Sequence, residues 1–424
     1  MEEWKEYRLG DLGEVIGGAT PSTKNISYYD GNISWITPKD LSNYYDRYIS
    51  YGERMISEEG FKSCSCKILP KGSVLFSSRA PIGYVAIAAN DLCTNQGFKS
   101  IIPNTKVIDS DFLYYLLIYN KNRIEAMGSG TTFKEVSGNV MRNVIVLIPK
   151  LQSQKSIASI LSSLDDKIEL NRRINENLEQ QAQALFKSWF VDFEPFKDGK
   201  FVDSELGMIP AGWKVGTLSD IIKNTISGDW GKEHSQGNHI RKVFCIRGAD
   251  IPDIKIGHKG NMPTRFILEK NYQSKVLIDG DVVIEISGGS PTQSTGRACR
   301  ISNRLLDKYN NSIICTNFCK AIKPLSGYSS FLYYVWEMLY NQGVMFSYEN
   351  GKTGIKNLDM NGFIQKEQII IPPIHIATDF EKMIKVFYDK IQSNGMESER
   401  LAHLRDTLLP KLMSGELKIN DLSI

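Results

Sequence analysis

Long apolar runs are missing from this chain. The longest, such as Val144–Ile148 and Leu113–Tyr119, fall far short of the ~20 residues that a helix needs to span a bilayer. The opening, Met1-Glu2-Glu3-Trp4, is acidic and polar, where a secretory signal is basic and then greasy. The expected compartment is therefore the cytoplasm. Cysteine pairing is missing too: the seven cysteines are an odd number, and neither Cys64-x-Cys66 nor Cys315-x3-Cys319 has the Cys-x2-Cys spacing of a zinc site. They read as reduced thiols. The five histidines include no pair four apart on a helix, so no metal site is expected. Excess charge is also absent, because a net +3 is too little to point to nucleic acid by itself.

Catalytic signatures are missing as well. Gly351-Lys352-Thr353 looks like the end of a phosphate-binding loop, but the first glycine of that loop would stand at 346, which is Phe346. There is no Gly-x-Ser-x-Gly, no His-Glu-x-x-His and no glycine-rich dinucleotide turn between a strand and a helix. Pro252-Asp253 is not followed in the next twenty residues by an acidic-x-Lys triplet, so a metal-dependent nuclease core has no support. Nor does an Asn- or Asp-Pro-Pro-aromatic element occur of the kind that amino-methyltransferases use. The pattern is that of a recognition part without a catalytic part.

What the chain does have is repetition. A shift of 223 residues carries Asp166-Lys167-Ile168 onto Asp389-Lys390-Ile391, and likewise Asn171 onto Asn394, Leu178 onto Leu401 and Leu185 onto Leu408. A looser match carries Trp4 and Leu9 onto Trp213 and Leu218. Each copy opens with short β-like runs between Gly, Pro and Asn punctuation: Gly31–Ile36, Leu69–Phe76 and Gly83–Ala88, then Phe244–Ile246 and Leu277–Val283. A helical patch follows the strands, Asp111–Leu117 and Phe331–Trp336. Cys93-Thr94-Asn95 and Cys315-Thr316-Asn317 are expected to fall at corresponding places. The fold class is α+β, a mixed α/β head written twice with an approximate internal twofold.

Each head ends at a proline-marked strand and gives way to a heptad run. Leu161, Leu164, Ile168, Asn171, Leu178 and Leu185 carry the first seam, and Ile384, Phe387, Ile391, Asn394, Leu401 and Leu408 the second. The 4-3 spacing is that of a coiled-coil seam. Polar residues interrupt both seams at matched places, Asn171/Asn175 and Asn394/Ser398, as a register-fixing layer does. At ~1.5 Å per residue each helix is on the order of 60 Å long, and antiparallel pairing would make a stiff spacer. The basic excess gathers in the second head: residues 241–275 hold eight Lys or Arg against three acidic residues. Two similar heads at a set separation suit duplex DNA, although a bivalent protein-binding scaffold remains the alternative.

Four stretches resemble the specificity subunit of type I restriction-modification systems: Trp35–Leu41, Leu206–Trp213, Leu164–Asn171 and Leu408–Leu417. The resemblance covers essentially the whole chain. It implies target recognition domains at 1–150 and 213–373, spacer helices at 151–195 and 374–424 (the latter with the C-terminal tail), and a linker at 196–212. It also implies a non-catalytic subunit of a restriction enzyme and adenine DNA methyltransferase complex. Its partners would be double-stranded DNA, two methyltransferase subunits and two restriction subunits, and those partners rather than this chain would use S-adenosylmethionine, ATP and Mg. Reading a split site would fall to polar and basic side chains near strand ends. In the first head these are Thr37, Lys39, Ser77, Ser78, Arg79, which could equally be a structural ion-pair partner, and Lys134 of the Gly130–Lys134 loop. In the second they are Arg247, Gln293 and Lys356, with Arg241, Lys242, Lys259 and Arg265 on phosphates.

Overall fold

A computed structural model describes residues 4–419, apart from 43, 80, 131–133, 291 and 352–354. Thr131-Thr132-Phe133 and Lys352-Thr353, named above, lie outside the described residues. The chain forms two compact units, Met1–Glu169 with Arg400–Ile424, and Leu170–Glu399. The division falls inside both long helices, so each unit holds one head and a segment of each helix.

The first head is closed by its own ends. Lys5–Arg8 pairs antiparallel with Ile145–Ile148, next to the start of the first long helix. Inside lies a five-stranded sheet in the order Gly13–Gly17, Lys99–Pro103, Val74–Phe76, Val85–Ala88, Tyr48–Ile49. A smaller sheet sets Tyr29–Ile36 between Met55–Ile56 and Cys93–Thr94, the last pair parallel. The strand expected at Leu69–Phe76 is confined to Val74–Phe76, because Pro70 to Ser73 make a turn closed by the Ser73 N–H donating to Pro70. The helix Ser110–Ala126 is capped by Asp109, whose carboxylate accepts from the Phe112 N–H at 3.0 Å. It buries Phe112, Leu113, Leu116 and Leu117 against the sheet.

The second head repeats this order. Lys214–Thr217 pairs with Gln368–Ile371, and the main sheet runs Ile222–Ser227, Cys319–Pro324, Val282–Glu285, Ala298–Arg300. The smaller sheet sets His239–Ile246 between Thr264–Leu268 and Ile313–Cys315, again with a parallel pair. Its helix Ser329–Asn341 is buried almost all round, with Trp336 fully enclosed.

The long helices are Leu151–Phe190 and Ile374–Met413, of 40 residues each. Among the described residues no helix is long and apolar enough to cross a membrane. In the second unit the helices pair antiparallel through the polar layer. Asn171 Nδ2 donates to Glu397 at 2.9 Å and to Ser398 Oγ at 3.3 Å, and Asn394 Nδ2 donates to Asn175 Oδ1 at 2.9 Å. Further on, Phe190 meets Phe380 at 4.9 Å between ring centroids. In the first unit the Arg405 guanidinium sits 2.6 Å from Asp165, and Leu161 shares one core with Leu412. The seam departs from its expected positions where the helices meet the second head. Phe186, Phe190 and Tyr388 are buried there, while Leu185, Trp189 and Phe387 are only partly covered. Head side chains such as Phe331 and Tyr334 pack onto the helices at that point and turn the buried stripe by one residue.

Candidate nucleic-acid interface

In each head the strands release their loops at a shared edge, and the same backbone hydrogen bonds tie those loops together. The parallel pair sets the frame. Asn95 N–H donates to Ile36 in the first head, and Thr316 N–H donates to Ile246 in the second, both at 2.9 Å. Ala19 donates to Thr94 and Asp229 to Cys315; Phe98 donates to Asn95 and Cys319 to Thr316. The loop after the central strand is anchored alike. Ser78 N–H donates to Gly97 at 2.7 Å and Ile286 N–H to Phe318 at 2.9 Å, while Val136 and Leu358 donate to Ser78 and Ile286.

These bonds correct one sequence correspondence. Thr94 stands where Cys315 stands, and Asn95 where Thr316 stands, so the two Cys-Thr-Asn triplets are offset by one residue. The structural counterparts are Asn95-Gln96-Gly97 and Thr316-Asn317-Phe318. Glycine is required beside this turn. A Cβ on Gly18 would lie 2.1 Å from the Asn95 carbonyl, and one on Gly228 would lie 1.9 Å from that of Thr316.

The turn after the longest strand of each head has its own carboxylate. The Thr37 N–H and Oγ1 both donate to Asp40, at 2.7 and 2.6 Å. In the second head the Arg247 N–H, Nε and Nη2 donate to Asp250 at 2.9, 3.0 and 3.1 Å, and the Asn261 N–H donates at 2.8 Å. Burial alone pushes the Asp250 carboxyl up, but these donors outweigh it and hold it below the ordinary carboxylate range.

The candidate contact residues fare unequally. Ser77 and Ser78 are fully buried and do not present their hydroxyls at the surface. Ser77 Oγ donates to Pro81 and accepts from the Tyr84 N–H, both at 2.8 Å, and Ser78 Oγ donates to Gly97 at 3.1 Å. They shape the loop instead of reaching out of it. Thr37 and Arg247 are spent on Asp40 and Asp250, and Arg247 also donates to the Asn261 carbonyl at 2.6 Å. Arg79 lies 3.8 Å from Glu135, with both side chains about one-third exposed, so it combines an ion pair with access to solvent. Lys39 pairs with Glu53 at 2.6 Å between two well-exposed side chains, a contact that water and salt screen. Lys134 is exposed beside the Glu135 bridge.

In the second head Arg241 and Arg265 share one face of the small sheet, since Val243 pairs with Arg265 across it. Arg241 stacks on Tyr272 at 3.8 Å and Arg265 on Trp230 at 4.0 Å. Arg265 also pairs with Glu233 at 3.3 Å. Lys242 and Lys259 are exposed. Gln293 is exposed on a loop that is closed by Gly296 donating to Glu285, where the first head has the shorter span closed by Gly83 donating to Ser77. Lys356 is held at 2.8 Å by Glu349. Gln96, Asn317 and Phe318 project from the edge and are exposed, although residue type alone did not single them out. Among the described residues no group of three or more His, Cys, Asp or Glu could hold a metal ion.

Two copies of one polar loop edge, each on a rigid α/β head knitted to paired helices, define a two-headed recognition subunit. The comparisons with known proteins agree. The profile of the type I restriction modification DNA specificity domain matches residues 1–180. The MjaIX specificity subunit of a type I restriction enzyme from Methanocaldococcus jannaschii is 38% identical over 432 residues, covering 99% of this chain and 95% of the relative. The HindI specificity subunit from Haemophilus influenzae is 27% identical over 490 residues, covering 98% of this chain and 100% of the relative. In fold, the chain is similar to the crystal structure of a type I S subunit from M. genitalium, with a TM-score of 0.58 at 17% identity, over 97% and 96% of the two chains. The chain belongs to the specificity subunits of type I restriction enzymes. It is their non-catalytic, DNA-recognising subunit, which sets aside the protein-scaffold alternative.

Proposed function

We propose that the heads, residues 1–150 and 213–373, are target recognition domains that each read half of a bipartite DNA site. The observation that carries this is the duplicated edge, built twice from equivalent loops by equivalent backbone hydrogen bonds. The helices at 151–195 and 374–424 serve as spacer and docking surface, with 196–212 as linker. Leu170, Met383, Val386 and Leu404 support the docking role, since they leave 44–67% of their surface exposed on helices that are otherwise packed. Two methyltransferase and two restriction subunits join the chain in this reading, and S-adenosylmethionine, ATP and Mg belong to them. The complex works in the cytoplasm, in keeping with seven free cysteines.

Contact roles follow from availability. Lys39, Arg79 and Lys134 face one half-site, and Lys242, Lys259, Gln293 and Lys356 the other, with Arg241 and Arg265 held on aromatic rings for phosphates. Thr37, Ser77, Ser78 and Arg247 hold the loops that present them. Gel-shift titration of the chain with its methyltransferase subunits, on its methylated target duplex and at rising salt, tests the reading. Affinity should fall steeply, by roughly 1,000-fold or more between 50 and 200 mM salt if six or more phosphates are contacted. Binding indifferent to salt would count against direct DNA reading.

A further inference from the structure

The three-residue turn that follows the parallel strand is anchored from three sides in each head. In the first head it is Asn95-Gln96-Gly97, and in the second Thr316-Asn317-Phe318. Its first residue donates to the strand beside it, its third accepts from the neighbouring loop, and a glycine pressed against its carbonyls leaves no room for drift. The backbone is common to both heads, and the side chains it carries differ. The middle position is an exposed amide in both, Gln96 and Asn317; the Gln96 Oε1 accepts from the Thr20 hydroxyl, while its Nε2 donates to no group among the described residues. Asn317 makes no side-chain hydrogen bond among the described residues. The third position is Gly97 in the first head, where a Cβ would lie 2.8 Å from the Pro38 ring. In the second it is Phe318, 58% exposed.

A single exposed phenylalanine is ordinary on a protein surface. This one stands beside an unengaged amide, on a rigid turn, in the middle of a polar edge. Amide side chains match the N6 and N7 edge of adenine, and phenylalanine packs on the 5-methyl of thymine; both features lie in the major groove. We infer that this turn determines specificity in each head: Gln96 and Asn317 read adenine, and Phe318 contacts a thymine methyl in the second half-site. The inference rests on the reading of the heads as DNA readers and adds the bases they select.

The test uses the full chain with its own methyltransferase subunits, in a host without DNA methylation, followed by genome-wide methylation mapping. Asn317→Ala and Phe318→Gly are the variants, and Gly97 shows that the turn accommodates glycine. The first half-site should be retained, and one or two adjacent A·T positions of the second should become degenerate. In binding assays, deoxyuridine in place of thymine at those positions should weaken the wild-type complex by roughly 5- to 10-fold and leave Phe318→Gly unaffected. A second half-site unchanged in both variants overturns the inference, as does a wild-type second half-site without an A·T pair. If the variants fail to support methylation, the wild-type protein decides: affinity unchanged by deoxyuridine at every thymine of that half-site overturns it. A wild-type methylome with no bipartite motif would instead overturn the functional reading itself.

Discussion

Asp250 shows how the recognition edge is held at the scale of one residue. Its carboxylate is 98% covered at the side chain and accepts from Arg247 three times and from Asn261 once. Because its folded pKa lies below its unfolded value, the stability it contributes is present above the ordinary carboxylate range and is lost as pH falls through the folded value. Asp250→Asn should therefore cost about 2 kcal/mol at neutral pH, and the gap to wild type should narrow once pH drops below ~4. Thermal melting of both proteins across that range checks this; an equal gap at both ends would contradict it. Residue type announced such polar groups but not their employment. Ser77 and Ser78 look like base readers in the sequence, yet they follow Phe76 into the core, where their hydroxyls complete local backbone pairing. Burial runs unbroken from Ser73 through Ser78 and breaks strand alternation, so no periodicity could have shown it.

At the scale of elements, the strand and helix order of both heads and the two long helices were legible from punctuation and 4-3 spacing. The one-residue offset of the Cys-Thr-Asn triplets was not, because only the parallel partner strand fixes that register. The second polar role of the helix layer was also hidden. Asn175 Nδ2 donates to the Ile256 carbonyl at 3.1 Å as well as to Ile391 at 3.2 Å, and Gly257 packs against Gly395, where either Cβ would clash with backbone at 2.5 Å. The second head is thus fixed to the helices in the same layer that fixes their register. A spacer experiment must leave this layer intact, so insertions belong between Ile168 and Asn171 and between Ser398 and Leu401. Three heptads in each helix preserve the seam and add about 32 Å at ~1.5 Å per residue, close to one ~34 Å turn of DNA. Methylation mapping should then return the same half-sites with about nine or ten more unread base pairs between them. An unchanged spacer at full methylation would mean that the helices are not the ruler.

At the scale of the whole molecule, the duplication is the feature that sequence displayed most openly, and it carries the functional account. Each head closes on its own first and last strands, and each has its own core, around Phe76 and Phe112 in one and around Phe331 and Trp336 in the other. Heads built this way should be exchangeable. The bases read were never legible, since they depend on which loop side chains remain free after folding. The direct test is to replace residues 1–150 with the corresponding head of the M. jannaschii relative, express the chimaera with its methyltransferase subunits and map methylation genome-wide. The account predicts a bipartite target in which the half-site read by the first head changes and the other is retained base for base. A folded, active chimaera in which both halves change, or neither does, would contradict it.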